Sequence, residues 1–467
     1  MIFNSVEFFI FLPIVLSLFY ITNYKFRWII LLLASYIFYA GWKEEFLLLI
    51  IYSTLVDFFI SRGIYKSTSK SRKKLLLGLS LFSNFGALIL FKYFHFFIGG
   101  ASWFKELAES NDTILWLEFV FNYGIPVGIS FYTFQTVSYT VDVYKGRIKP
   151  ENNLGKFALF VSFFPQLVAG PIERFSSLHP QLFKKFIPSK EDFRQFFQLA
   201  LYGFFLKLVI ADNLGLVVNP VFDNYLGYSI PSKLIASIGF GFQIYADFFG
   251  YTLIAIGVAS LFGVRLQNNF KSPYFALSIK SFWSKWHISL STWFRDYLYI
   301  PLGGNAKGKG RWIIAIFITF LLSGLWHGAS ANFLWWGLIH GGLYLIEQLT
   351  PILKKEPKQM LSKVFRWAMT FTVVMIAWVF FRSTDMKFVE NFFGENEGGF
   401  IFNASHWFLL LPIALFFLLE TVQRNLRLDN LLKDKSVIVR WAVYSTLIVS
   451  ILLLSSEENL EFIYFQF

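Results

Sequence analysis

The chain has 467 residues, of which 56% are hydrophobic and 15% are charged, and its formal net charge at pH 7 is +13. Soluble domains carry about 25% charged and about 45–50% apolar residues, so this composition excludes a soluble enzyme. It also excludes an intrinsically disordered chain, because such chains are poor in aromatic residues and this one contains 61 phenylalanines.

Apolar runs of membrane-spanning length recur along the chain. In hydrocarbon a helix satisfies its own backbone hydrogen bonds, so each run is interpreted as a transmembrane helix. The expected fold class is an all-α polytopic membrane protein with about 11–13 such helices, built as a single domain over residues 1–467. Glu7 in the first run and the absence of a small-residue cleavage site predict a first span rather than a removed signal peptide. The runs lie near residues 6–22, 27–42, 45–61, 75–98, 120–143, 196–220, 232–263, 312–330, 333–350, 364–382, 406–422 and 438–455.

Two segments do not fit a plain crossing. Residues 157–175 are apolar but contain Pro165, Gly170 and Pro171, which break a helix, so they predict a re-entrant or buried hairpin. Residues 271–303 mix aromatic side chains with too many charges for a span, and we expect them to be interfacial or re-entrant.

Most lysines and arginines fall in alternate loops between the apolar runs, and the opposite loops collect glutamates and aspartates. By the positive-inside rule this asymmetry predicts that both termini are extracytoplasmic. The basic blocks therefore indicate membrane orientation rather than a nucleic-acid partner.

The chain contains no cysteine. It therefore has no disulfide, no thiolate metal ligand and no cysteine nucleophile. No H-E-x-x-H pattern or clustered carboxylates indicate a metal site, and no G-x-S-x-G elbow indicates a hydrolase nucleophile. The "GGNAKGKG" run at 303–310 lacks the Ser or Thr of a phosphate-binding loop.

Ionisable groups at membrane depth are the default functional candidates, because burying them in hydrocarbon costs free energy. His327 lies near the end of one apolar run between Gly324 and Gly328, and His340 lies in the next run. A tight turn near 330–332 makes these two helices neighbours. The alternative for each histidine is a hydrogen bond between helices with no role in chemistry.

Other polar residues in or beside apolar segments are candidates for lining a substrate tunnel. His287 occurs among tryptophans in the broken segment 271–303, where an interfacial helix with aromatic anchors is the alternative interpretation. For Asp212, Asn213 and Asp247 the alternatives are pairing with Lys207 and capping of a broken helix. The tunnel candidates besides the histidines are Asp212, Asn213, Asp247, Lys285, Arg295, Asp296 and Asn332.

Five strings stand out along the chain: "PVGISFYTFQTVSYTVDVYKG" (126–146), "FFPQLVAGPIER" (163–174), "KLVIADNL" (207–214), "WSKWHISLSTWFRDYLYIPLGGN" (283–305) and "LLSGLWHGASANFLWWGLIHG" (321–341). In this order and spacing they resemble the membrane-bound O-acyltransferase family and its bacterial alginate O-acetylation branch. The resemblance covers about residues 120–345. One departure lies at 245–255, where Asp247 is kept but Phe249 and Leu253 replace a serine and an aspartate of the family's usual run.

The resemblance implies a helical fold with a central tunnel, in which the family's essential histidine corresponds to His327 and a second site residue to His287. It implies transfer of an acetyl group from a cytoplasmic donor such as acetyl-CoA, across the cytoplasmic (inner) membrane of a bacterium, towards an extracytoplasmic polysaccharide of the alginate, exopolysaccharide or peptidoglycan type. The expected partner is a periplasmic or membrane-anchored acetyltransferase of the SGNH-hydrolase-like type, and no resident cofactor is expected.

Two alternatives remain open from the sequence. Within the acyltransferases, the chain could transfer D-alanine to teichoic acid or acylate a lipid or a protein. Outside them, intramembrane histidines that relay protons are typical of a transporter. A transporter of that kind is expected to have broken helices in two matching halves, and the sequence shows no such symmetry.

Overall fold

The computed structural model describes residues 1–93, 126–394, 399, 414, 416, 418, 420, 421, 428–456 and 460–463. Within these residues the chain is helical, and the β-structure recorded there is an isolated bridge between Tyr228 and Gly399. Seven helices of the described chain are long and apolar enough to cross a membrane. The expected all-α polytopic membrane protein is confirmed. Much of the predicted crossing at 406–422 lies outside the described residues.

The described chain forms two compact units, one of Met1–Asp192 with Val258–Leu266 and one of Phe193–Gly257 with Gln267–Phe467. The helices of the first unit are α1 (Val6–Ile21), α2 (Arg27–Ala40), α3 (Phe46–Lys66), α4 (Lys70–Leu88), α5 (Ile129–Tyr144), α6 (Leu154–Ser162), α7 (Phe164–Leu167) and α8 (Phe175–Leu182).

The predicted hairpin at 157–175 is two short helices, α6 and α7, separated at Phe163. Its side chains are buried from Phe157 to Ile172. A buried break of this kind is what the proline and glycine residues of the segment predict.

A buried carboxylate joins three helices of the first unit, and the sequence analysis did not single it out. Asp57 on α3 accepts hydrogen bonds from Ser80 Oγ (2.5 Å), Asn84 Nδ2 (2.8 Å) and Thr140 Oγ1 (2.9 Å). Three donors on two neighbouring helices compensate for the loss of water around the carboxylate.

The second unit carries every candidate site residue. The helices of the second unit are α9 (Lys190–Phe204), α10 (Asp212–Asp223), α11 (Ile230–Ser260), α12 (Ile279–Trp283), α13 (Ile288–Phe294), α14 (Lys309–His327), α15 (Ala331–Leu349), α16 (Pro351–Lys354), α17 (Met360–Arg382), α18 (Met386–Phe392), α19 (Leu428–Leu432) and α20 (Val437–Leu454). α9 and α10 form one long rod with a π-helical segment, Phe205–Ala211, between them.

The segment 271–303 is not a plain crossing, as its composition predicts. It contains the short helices α12 and α13 and a π-helical segment, Arg295–Tyr299, that continues α13. The turn between α12 and α13 places His287 in the interior of the second unit.

Candidate active site

Three buried histidines lie in one aromatic cluster. The Trp326 ring centroid is 6.1 Å from that of His287 and 4.8 Å from that of His327. The Trp336 centroid is 5.2 Å from His327 and 4.9 Å from His340. The exposed fractions of His287, His327 and His340 are 0%, 4% and 0%. Two indole rings therefore connect the three imidazoles through direct contacts.

Glycines bring α14 and α15 close enough to build this cluster. A Cβ at Gly324 would lie 2.1 Å from the carbonyl oxygen of Phe333, and one at Gly337 would lie 2.4 Å from that of Phe320. Small residues at such crossings allow backbones to approach closely in membrane proteins. The short connection between α14 and α15 makes the two helices neighbours, as the sequence predicts.

His287 occupies a strained turn. Its φ is +43°, a left-handed conformation that a side-chain-bearing residue rarely adopts, and it directly precedes α13. Its ring centroid lies 4.7 Å from that of Phe248. Burial lowers the pKa of His287 to about 3. The imidazole is therefore neutral at physiological pH. Backbone strain like that of the left-handed φ is found most often at functional sites.

His340 has a defined ring orientation. Trp283 Nε1 donates a hydrogen bond to His340 Nδ1 at 3.3 Å, and the Phe282 ring lies nearly parallel to the imidazole with centroids 6.0 Å apart. Because Nδ1 accepts, the proton of the neutral ring is on Nε2. Within the part of the chain that the structure describes, His340 Nε2 has no hydrogen-bond partner.

The candidates Asp212 and Asp247 form an ionic cluster with Lys207. Lys207 Nζ lies 2.8 Å from Asp212 Oδ1 and 3.1 Å from Asp247 Oδ1. The same ammonium donates to the carbonyl oxygen of Leu460 at 2.9 Å, and the backbone N–H of Ile463 donates to Asp247 Oδ2 at 2.6 Å. Both aspartates are thus paired with Lys207, and the cluster also binds the 460–463 segment.

Asn213 stabilises the π-helical segment. Its Nδ2 donates to the carbonyl oxygens of Val209 (2.9 Å) and Leu454 (2.7 Å). A π-helical turn disturbs the regular backbone hydrogen bonds, and a side-chain amide can satisfy the carbonyls that this leaves. The contacts place Asn213 in the packing of α10 against α20.

The other four candidates have different surroundings. Asn332 is fully buried near the start of α15 and donates from Nδ2 to the carbonyl oxygen of Ser383 at 2.7 Å. Arg295 and Asp296 form an ion pair of 2.8 Å, with side chains 58% and 29% exposed. That exposure separates the ion pair from the buried environment of the histidines.

Lys285 lines a cavity of about 1010 Å³. The cavity is also lined by Lys358, in the basic loop after α16, and by Lys363, near the start of α17. These three lysines fall in the basic blocks at 265–311 and 354–366, which the charge asymmetry predicts to be cytoplasmic. The cavity also has apolar and aromatic lining, including Phe275 and Trp367.

Two buried polar residues next to the site were missed by the sequence analysis. Glu347 Oε2 accepts the backbone N–H of Ile279 at 2.6 Å, and Asn269 Oδ1 accepts the hydroxyl of Ser289 at 2.6 Å. Glu347 is a carboxylate in an apolar run, so the rule that selected the histidines could have found it. Asn269 lies in a loop, and nothing in its sequence surroundings distinguishes it.

No metal site is visible in the described chain, where no three His, Asp or Glu side chains form a group that could hold an ion. The imidazole nitrogens of histidine are suited to proton transfer. Neutral imidazoles can accept a proton from a hydroxyl group that enters this cluster.

Comparison with known proteins shows which family the chain belongs to. The model of the membrane-bound O-acyltransferase family matches residues 148–388. This range contains all three histidines, the Lys207 cluster and the strained turn.

Several bacterial proteins are similar over most of the chain. A probable alginate O-acetylase AlgI of Pseudomonas syringae is 39% identical over 84% of the chain and 74% of that relative. The protein of the same name from Pseudomonas putida is 35% identical over 100% of both chains. A peptidoglycan O-acetyltransferase of Helicobacter pylori is 34% identical over 79% of the chain and 73% of that relative.

Proposed function

Because the chain belongs to the membrane-bound O-acyltransferase family and is an O-acyltransferase, we propose that it moves acetyl groups from cytoplasmic acetyl-CoA across the inner membrane for O-acetylation of an extracytoplasmic polysaccharide. The observation that carries the proposal is the cluster of His287, His327 and His340 around two shared tryptophans. Similarity to alginate and peptidoglycan O-acetylating proteins favours acetyl over D-alanyl transfer.

In the proposed reaction His327 is the general base. A ring nitrogen of the neutral imidazole takes the proton of the acceptor hydroxyl while the hydroxyl oxygen attacks the thioester carbonyl. The carbon–sulfur bond then breaks, and the proton passes from the imidazolium to the departing thiolate of CoA. General-base catalysis of this kind contributes about 10²–10⁴ in rate. The chain contains no cysteine, so the thiol in this reaction belongs to the donor.

His287 and His340 have supporting roles in this proposal. Both are buried, and their aromatic contacts hold the rings in place next to Trp326 and Trp336. A site that excludes water protects the thioester from hydrolysis and strengthens the electrostatic interactions within it. Asn332 also belongs to this interior, and it fixes the start of α15 through Ser383.

The donor is proposed to approach through the cavity beside Lys285. Three lysines, Lys285, Lys358 and Lys363, and one carboxylate, Glu356, line a volume of about 1010 Å³, so positive charge is in excess there. CoA carries phosphate groups, and lysine ammonium groups attract them as point charges. The predicted cytoplasmic orientation of both basic loops agrees with a cytoplasmic donor.

The acceptor is proposed to be a periplasmic or membrane-anchored partner of the SGNH-hydrolase-like type, which passes the acetyl group to the polymer. Because the partner carries out the transfer to the polymer, the chain itself needs no hydrolase nucleophile. The predicted orientation of the membrane spans, with both termini outside, is consistent with an acceptor on the side opposite to the basic loops.

Complementation in cells tests the proposal. The chain is expressed with a candidate partner in a bacterium whose own polysaccharide O-acetylation genes have been deleted, and ester-linked acetate is measured by base release. We expect acetylation to return with the wild-type chain and to stay absent with His327→Ala at equal membrane abundance. Unchanged acetylation with His327→Ala contradicts the role of His327, and D-alanine esters in place of acetate contradict the acetyl assignment.

A further inference from the structure

The turn at His287 is held in a conformation that it does not adopt spontaneously. In the described chain, Ser272 and His287 are the two non-glycine residues with a left-handed φ, at +44° and +43°. Left-handed conformations of such residues cost free energy and persist when the surrounding structure imposes them. The surroundings of His287 must therefore contain the groups that impose this turn.

Both left-handed residues lie beside two backbone segments that hydrogen-bond to each other. Lys271 N–H donates to the carbonyl oxygen of Lys285 at 3.0 Å, and Ile288 N–H donates to that of Asn269 at 2.9 Å. One bond therefore involves Lys285, which precedes His287, and the other involves Ile288, which follows it. The position of the imidazole depends on how firmly these segments are fixed.

Asn269 fixes the side that follows His287. Its Oδ1 accepts from Ser289 Oγ at 2.6 Å and from the Ser289 N–H at 3.4 Å, and its backbone carbonyl accepts from Ile288. Its Nδ2 donates to Thr252 Oγ1 on α11 at 3.4 Å. One fully buried side chain therefore connects the turn to α11.

Glu347 fixes the side that precedes His287. Its Oε2 accepts from the N–H groups of Ile279 (2.6 Å) and Lys280 (3.4 Å), which begin α12. Two turns earlier on the same α15, His340 accepts the hydrogen bond of Trp283 near the end of α12. α15 thus holds α12 at both ends, and α12 leads directly into the His287 turn.

We propose that Asn269 and Glu347 are positioning residues that orient the His287 imidazole for acyl transfer from the two sides of its strained turn. The proposal rests on the proposed function. Loss of either side chain lets φ of His287 relax to negative values, which rotates the imidazole away from Trp326 and the His327 side of the cluster.

Truncation variants and an acceptor-retaining variant separate positioning from simple packing. The full chain and its partner are reconstituted in liposomes, and CoA release from acetyl-CoA is followed with a thiol reagent, to which the cysteine-free chain does not respond. We expect Asn269→Ala and Glu347→Ala to lower kcat at least tenfold per folded molecule, with KM for acetyl-CoA changed less than threefold. Glu347→Gln keeps an acceptor oxygen for the N–H groups of α12, and we expect kcat within about threefold of wild type.

Two further variants complete the design. Asn430→Ala removes an exposed asparagine of α19 and is the matched control, with unchanged kcat expected. Ser289→Ala removes the 2.6 Å hydrogen bond to Asn269 and leaves Asn269 in place. It therefore tests the positioning role if Asn269→Ala or Glu347→Ala does not fold. We expect it to lower kcat at least threefold at constant KM.

The proposal is overturned if kcat per folded molecule is unchanged in the alanine variants, or in Ser289→Ala where those do not fold. It is also overturned if Glu347→Gln loses as much kcat as Glu347→Ala. His327→Ala is assayed in parallel. If the wild type transfers acetyl groups, His327→Ala does not, and Asn269→Ala does, the positioning role alone is refuted. If the wild type itself does not transfer acetyl groups, the proposed function is refuted, and the positioning role with it.

Discussion

The indole of Trp283 donates its N–H to Nδ1 of His340 at 3.3 Å, and the two rings are nearly perpendicular with centroids 5.1 Å apart. This bond selects the imidazole tautomer with its proton on Nε2. It also joins α12 to α15 within the second unit.

Trp283→Phe removes this donor and keeps an aromatic ring. A neutral hydrogen bond contributes about 0.5–1.5 kcal/mol, so we expect kcat to fall between about two- and tenfold as the His340 ring loses its fixed orientation. The measurement is CoA release by the reconstituted chain. Trp335→Phe, at a 47% exposed position on α15, is the control, and equal rates for the two variants contradict the role of this bond.

Gly337→Ala is expected to separate α14 from α15. The added Cβ would lie 2.4 Å from the carbonyl oxygen of Phe320, so the helices must shift, at a cost of about 1–3 kcal/mol. We expect a lower melting temperature in detergent together with loss of transfer. Gly342→Ala on the same helix meets no atom within 4 Å and is expected to leave the melting temperature unchanged or raise it. Equal behaviour of the two variants would show that close helix contact does not build the site.

Lys207→Met leaves Asp212 and Asp247 buried without their cation. Removing one partner of a buried ion pair typically destabilises by about 3–5 kcal/mol, so we expect a lower melting temperature and faster proteolysis of the 460–463 segment that Lys207 binds. The exposed Lys190→Met on the same rod is the control. A segment that stays equally protected in Lys207→Met contradicts this account of the cluster.

The pH dependence of stability carries a contribution from His287. Its folded-state pKa is lowered to about 3 by burial, whereas an unfolded histidine titrates near about 6.5. As the pH falls below about 6.5, the unfolded state binds a proton that the folded state does not, so this group reduces stability. We expect the melting temperature of the wild type to fall more steeply from pH 7 to pH 5 than that of His287→Gln. Parallel curves would contradict the buried neutral histidine.

The sequence predicts the helical elements and the histidines better than the partners of the polar residues. Apolar runs predict α3 and α14 because hydrocarbon imposes helices, and the glycines around His327 indicate close helix contact. The sequence leaves the pairing of Asp212 and Asp247 with Lys207 open beside tunnel lining and helix capping, since hydropathy carries no information on which residues meet. The binding of the 460–463 segment to this cluster has no local signal.

The strained turn shows the same limit. Tryptophans and a histidine in a charged segment indicate a broken element, but the left-handed φ of His287 depends on Asn269 and Glu347, which lie 18 and 60 residues away along the chain. Glu347 could have been found by its charge in an apolar run. Asn269 becomes visible through its contacts alone.

The central claim is that His327 transfers a proton during acyl transfer from acetyl-CoA. The most direct measurement is the single-turnover rate of CoA release by the reconstituted wild-type chain and by His327→Ala, each with its partner and at equal amounts of folded protein. Loss of a general base predicts a rate lower by about 10²–10⁴ in the variant, with acetyl-CoA binding retained. A rate in His327→Ala within twofold of the wild type would contradict the claim.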